Sequence, residues 1–146
     1  MVVESELCSN NASCEGGALW SRNSTITVTE SNLHNNNASC EGGTLWFISS
    51  TVIVSASVLH SNTGIEHGGA VSSVRSTVTI VNSLLYSNLA VNIGYGGVLR
   101  SRYSAIVICD STFTDNRAFA GAVHFVSRNS NITYNGSVVI SNNILI

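Results

Sequence analysis

Apolar and polar positions recur along this chain with a period near 26 residues. One run reads Ser-x-apolar-x-x-Asn, as in Ser5-Glu-Leu7-Cys-Ser-Asn10. Its six copies begin at Ser5, Ser31, Ser57, Ser83, Ser111 and Ser137, in steps of 26, 26, 26, 28 and 26. A second run is built on small residues: Gly16-Gly17-Ala-Leu19, Gly42-Gly43-Thr-Leu45, Gly68-Gly69-Ala-Val71, Gly96-Gly97-Val-Leu99 and Ala120-Gly121-Ala-Val123. A third alternates and is rich in β-branched residues: Thr25-Ile-Thr-Val28, Thr51-Val-Ile-Val54, Thr77-Val-Thr-Ile80, Ala105-Ile-Val-Ile108 and Asn131-Ile-Thr-Tyr134. The segments Asn10–Trp20 and Asn36–Trp46 differ at one position, Ala18 against Thr44. A fixed period of this kind signals internal duplication.

Each period thus predicts three short strands separated by Ser, Asn and Gly. Asn and Gly suit left-handed corners, and the chain contains no Pro to interrupt a ladder. No window carries apolar residues at helical spacing. Strands this short are not stable alone. Stacked on their equivalents about 4.8 Å away, they close continuous parallel sheets. The fold expected is all-β: a right-handed, single-stranded parallel β-helix of about five coils with three strands per coil. Leu7, Leu33, Leu59 and Leu85 should then lie in one interior file. The length variations fall in corners, first between Asn88 and Gly96 and then between Val123 and Ile132, where a solenoid tolerates them.

Composition narrows the function. With 44% hydrophobic residues, residues 1–146 read as one folded domain. Charge is 10% of the chain with a net of −2, and Arg22, Arg75, Arg100, Arg102, Arg117 and Arg128 are scattered. No nucleic-acid partner is expected from that distribution. No apolar run reaches the length of a membrane span, so this segment is not expected to insert into a membrane. The opening residues lack the basic and apolar regions of a signal peptide. Both ends fall within a coil, and an uncapped column exposes strand edges. The expectation is a segment of a longer repeat protein, with adjoining repeats as its first partners.

The paired motifs, apolar-x-x-Asn and Gly-Gly-Ala-aliphatic, resemble the repeats of chlamydial polymorphic outer-membrane proteins and related Pmp-like surface proteins. Those repeats pair FxxN with GGA[ILV]. The matches are Leu7–Asn10, Leu33–Asn36, Leu59–Asn62, Leu85–Asn88 and Phe113–Asn116, alongside the five small-residue runs. Leu replaces Phe in four coils, Thr44 and Val98 replace Ala, and Ala120 replaces the first Gly. The resemblance implies a surface-displayed, adhesin-like β-helix, extracellular or at the cell surface, whose partner is a surface glycan or protein. The architecture also resembles that of pectin-degrading lyases and hydrolases. That leaves a polysaccharide-binding or -cleaving module as the rival to a non-enzymatic structural or adhesive one.

Stacking turns candidate residues into ladders. Asn10, Asn36, Asn62, Asn88, Asn116 and Asn142 form the clearest, and its reading is structural: stacked amides bond each other and the corner backbone. Cys14 and Cys40 occupy one corner position in adjacent coils, close enough for a disulfide in an oxidising compartment. Cys8, His34 and His60 share an outward file, but three ligands in a line suit a tetrahedral metal poorly. Glu15 and Glu41 stack with His67 next in line, a pairing a cation would relieve. Cys109 begins a corner without Cys equivalents. A glycosidase needs two carboxylates at a set separation, and Asp110 and Asp115 with Arg117 are the candidates here. No catalytic residue, cofactor or metal site is assigned. The aromatics Trp20, Trp46, Tyr86, Tyr95 and Tyr103 are expected on the surface as contact residues, with Trp20 stacked on Trp46. Five Asn-x-Ser/Thr sequons, at Asn11, Asn23, Asn37, Asn131 and Asn135, are as many as this composition yields by chance and decide nothing about secretion.

Overall fold

The computed structural model describes residues 1–127 and 129–145; Arg128, one of the scattered cations, lies outside them. All regular structure among the described residues is β-strand. The strands stack in parallel as a solenoid of about five turns, and each full turn contributes to four sheets. The Thr sheet holds Val2–Val3, Thr25–Thr29, Thr51–Ser55, Thr77–Val81, Ala105–Cys109 and Asn131–Asn135. The Leu sheet holds Glu6–Cys8, Asn32–His34, Val58–His60, Leu84–Tyr86, Thr112–Thr114 and Val139–Ser141. The Gly sheet holds Leu19–Arg22, Leu45–Ile48, Val71–Val74, Leu99–Arg102 and His124–Ser127. The fourth sheet was not expected from the sequence. Its strands are two residues long: Asn11–Ala12, Asn37–Ala38, Thr63–Gly64, Leu89–Ala90, Arg117–Ala118 and Ile144–Leu145. A dipeptide is too short to show alternation, so three strands per coil become four.

Equivalent residues pair directly. Leu7, Leu33, Leu59, Leu85, Phe113 and Ile140 form one file through successive parallel ladders. Leu33, Leu59, Leu85 and Phe113 are completely buried, which stabilises the column by about 1.5–3 kcal/mol per side chain. A second file on the Gly sheet runs Ser21, Phe47, Ser73, Ser101. There the buried Phe47 ring sits between two small serines, so one large side chain fills a layer without crowding its neighbours.

Each corner uses a left-handed residue, and the lengthened corner between Leu89–Ala90 and Leu99–Arg102 uses two, Asn92 and Gly96. Glu30, Ala56, Asn82 and Asp110 turn one corner; Asn35, Ser61, Ser87 and Asp115 the next; Gly42, Gly68, Gly96 and Gly121 the third; Ser49, Arg75 and Tyr103 the fourth. Three of the four corners then lock with a side chain. Asn36, Asn62, Asn88 and Asn116 each accept, at Oδ1, the backbone N–H and the Nδ2 of the Asn one coil before. Their own Nδ2 groups also donate to the carbonyls of Leu7, Leu33, Leu59 and Leu85. In the Ser5, Ser31, Ser57, Ser83, Ser111 ladder each hydroxyl after the first accepts the backbone N–H of the Ser one coil before, and each donates to the carbonyl two residues back in its own coil. A third ladder, Ser24, Ser50, Ser76, Ser104, Ser130, stands at the corner before the Thr sheet.

The last coil departs from the sequence reading twice. The Asn ladder ends at Asn143, not Asn142: Asn143 Oδ1 receives both bonds from Asn116, while Asn142 is the left-handed residue. The cause is one extra residue at the Gly136–Ser137 corner, which makes Val139 the partner of Thr112 and leaves Ser137 bonded to Asp110 instead. The small-residue run also shifts by one. Gly121, not Ala120, takes the left-handed glycine position, and His124 pairs with Leu99.

Candidate functional site

The Gly and Asn corners fix the backbone tightly enough that outward side chains repeat at strand spacing. Chemistry on this molecule is therefore a matter of outward files. The clearest lies on the Leu sheet: Cys8, His34, His60, Tyr86, Thr114. The His34 and His60 rings stack at 4.8 Å and 4°, and His60 and Tyr86 at 4.7 Å and 6°. Burial, with His34 adding a smaller push, holds His60 below its ordinary pKa, so it is neutral at neutral pH. The three rings thus form one continuous stack along the column, each covering a face of the next. His34 is tied by Nε2 to Glu6 Oε1 at 2.7 Å and by Nδ1 to Asn35 Nδ2 at 2.9 Å. Glu6 escaped the sequence reading; the signal was its position two residues before Cys8, hence on the same outward face.

The other aromatics lie elsewhere. Trp20 and Trp46 stack at 5.5 Å and 14° as expected. Trp20 is half exposed and has the Arg22 guanidinium 5.7 Å from its ring. Trp46 is buried at 7% exposure, so it cannot serve as a contact residue as the sequence reading had it. Tyr95 stacks on His67 at 5.0 Å on the Gly corner, and its backbone N–H donates to His67 Nδ1. Tyr103, 40% exposed, turns a corner of its own with Arg75 over its ring. The five aromatics fall on different sheets and corners and do not make one surface.

Arg100 follows Trp20, Trp46 and Ser72 in the outward file of the Gly sheet. It is nearly buried and donates to Glu41 Oε1, while the Ser72 hydroxyl donates to Oε2 at 2.7 Å. Burial works to raise the Glu41 carboxyl, but the hydroxyl and the guanidinium outweigh it and hold it below the usual carboxylate range. The charge expected to stack against Glu15 is therefore met by an arginine two coils away. Sequence spacing alone could not show that reach.

Cys14 and Cys40 bring their sulfurs to 2.9 Å at one corner. The Cys14 thiol is pushed up to about 12, first by its hydrogen bond with Cys40, then by desolvation and the Glu15 charge. Asp110 and Asp115 sit at opposite ends of the strand Thr112–Thr114, each on its own corner. Asp110 accepts from the Ser137 N–H and Asp115 from the Thr114 hydroxyl. They do not face each other as a carboxylate pair. Asp115 and Arg117 do share a shallow depression with Ser87, Asn88 and Leu89. No helix among the described residues is long and apolar enough to cross a membrane. No family model matches the chain, and comparison with curated proteins and solved structures gives no match either.

Proposed function

We propose that this column is a non-enzymatic structural and adhesive module, displayed outside the cell, that holds a partner along a flat face. The observation that carries the reading is the His34–His60–Tyr86 stack. Three rings stacked on a rigid sheet cover one another's faces and leave a pre-ordered row of ring edges at strand spacing, at low entropic cost because the coils above and below already fix each ring. Such a row fits an extended glycan chain or peptide strand running along the column better than a compact metabolite, and a surface glycan is the first partner to test. The motif resemblance to Pmp-like repeats supports the same placement. A pectin-lyase-like cleaving activity draws less support, since Asp110 and Asp115 sit on separate corners.

The test is a glycan array and a cell-binding assay with the whole chain and with Tyr86→Ala. Binding by the parent chain that falls at least about tenfold in Tyr86→Ala is the expected result. No binding to any glycan or cell surface, or binding indifferent to Tyr86, would overturn the adhesive reading. Turnover of a polysaccharide that disappears in Asp115→Asn would overturn the non-enzymatic one.

A further inference from the structure

We propose that Glu6, Cys8 and His34 form a surface site for a single borderline-soft divalent cation, with Zn²⁺ the best match. Glu6 and Cys8 are two residues apart on one strand and point outward together. His34 is the register partner of Cys8 on the next strand. One carboxylate oxygen, one sulfur and one imidazole nitrogen consequently lie within 4.8 Å of one another. They form a triangle, not the line that Cys8, His34 and His60 make. His60 stacks on His34 from the next coil and is not one of the clustered ligands.

The donor set is chemically specific. Thiolate, imidazole and carboxylate are all zinc ligands, at about 2.0–2.3 Å. A tetrahedron of those bond lengths has edges of about 3.5 Å. Glu6 and His34, now 2.7 Å apart, must open by about 1 Å and Cys8 must swing in by a similar amount, within the rotamer freedom of exposed side chains. Glu6 and Cys8 are exposed, so an ion reaches them directly and the fourth position stays open to water.

Two neighbours support the site. Asn35 already contacts His34 Nδ1; with its amide turned, it accepts from Nδ1–H and orients Nε2 toward the ion, as outer-shell groups do for ligating histidines. Asn32 is the register partner of Glu6 and completes the two-by-two patch. Its Oδ1 is buried and has no hydrogen-bond partner, an unused oxygen donor beside the three ligands. Among the described residues no other coil repeats the set: the equivalents of Glu6 and Cys8 further along include Val58 with His60 and Leu84 with Tyr86.

Cobalt(II) is the probe, because a cobalt–thiolate bond absorbs in the near ultraviolet and tetrahedral cobalt absorbs in the visible. The reduced whole chain is titrated and the metal displaced with zinc. One cobalt per chain is expected, with both absorptions, and zinc abolishes them. Cys8→Ala removes the thiolate band, and Glu6→Gln and His34→Gln each weaken binding at least about tenfold. Cys14→Ala/Cys40→Ala and His60→Ala leave the spectrum unchanged. Circular dichroism confirms that each variant folds, which exposed positions permit. Failure to bind cobalt, a thiolate band that survives Cys8→Ala, a band that vanishes with Cys14 and Cys40, or one that depends on His60 and not on Glu6 would each overturn the site.

Discussion

Asn62 Oδ1 accepts two hydrogen bonds from Asn36, one from its backbone N–H at 3.0 Å and one from its Nδ2 at 3.1 Å. Both residues are at most 1% exposed. The same amide of Asn62 donates to the Leu33 carbonyl and to Asn88. One side chain therefore satisfies polar groups in the coils on both sides of its own.

Truncating it should be costly. Asn62→Ala strands the Asn36 backbone N–H, one N–H of the Asn36 amide and the Leu33 carbonyl. At about 1–3 kcal/mol for each unsatisfied buried group, the loss should be at least about 3 kcal/mol. Asn11→Ala removes the equivalent of an outward pair, Asn37 Nδ2 to Asn11 Oδ1, and should cost about 0.5 kcal/mol or less. Urea unfolding of both variants checks this. Equal losses would show that the inner ladder is ornamental.

Stack spacing predicts a second effect. A methyl group on Gly43 would strike the Gly69 carbonyl and approach the Thr63 backbone to 2.6 Å. Neighbouring coils cannot part there without breaking the parallel ladders on either side. Gly43→Ala should cost more than about 3 kcal/mol, at the severe end for a single substitution. Thermal unfolding measures it, and a variant within about 1 kcal/mol of the parent would mean that the coils yield more readily than packed sheets do.

Cys14 and Cys40 are expected to join under oxidised glutathione: the two thiols lose two protons and two electrons, and glutathione disulfide is reduced to two glutathione molecules. Mass spectrometry of non-reduced peptides should find the Cys14–Cys40 bridge, with Cys8 and Cys109 free of it. The bridge closes a loop of about 26 residues, for which about 3 kcal/mol of stabilisation is the usual expectation. Oxidation that pairs Cys8 or Cys109 first would contradict the corner geometry.

Glu41 predicts an acid sensitivity. Its carboxyl is held below the ordinary range in the folded chain by Ser72 and Arg100 against the opposing effect of burial. The folded state therefore binds this proton less readily than the unfolded chain. The stabilisation is present above the ordinary carboxylate range and is lost as pH falls through and below it. Glu41→Gln should be less stable at neutral pH, and the difference from the parent should shrink on acidification. Arg100→Ala, which leaves a largely buried carboxylate unpaired, should cost about 3 kcal/mol or more at neutral pH. Unfolding curves at several pH values test both; a parent–Glu41→Gln difference that is constant with pH would contradict the assignment.

His124 and Tyr134 show what the repeat conceals. His124 stands in the Leu99 file and Tyr134 in the Ile108 file, and the Tyr134 hydroxyl lies 2.9 Å from His124 Nδ1. Two apolar files thus end on a polar pair. Ala120-Gly121-Ala122-Val123 keeps the motif's order and so predicts Val123 in that file; the left-handed turn at Gly121 decides the register instead. The Asn142–Asn143 doublet misled in the same way, since either residue satisfies the spacing and only the extra residue at Gly136–Ser137 selects Asn143. The files of Leu7, Cys8 and Asn10 were legible because each motif keeps strict spacing over several coils. The Arg100–Glu41 pair and the Glu6–His34 contact were not, because they depend on how far a side chain reaches across coils. The burial of Trp46 was hidden as well, since its sequence setting matches that of the exposed Trp20.

The direct test of the stacked register is a nuclear Overhauser experiment on labelled protein. Parallel in-register coils place the backbone of Leu59 between those of Leu33 and Leu85, about 4.8 Å from each. Cross-strand backbone contacts Leu33–Leu59 and Leu59–Leu85 are expected, with like contacts for Asn36–Asn62 and Asn62–Asn88. Contacts pairing these residues with sequence neighbours across a hairpin, or a shift of the file by even one residue, would contradict the column and every outward site built on it.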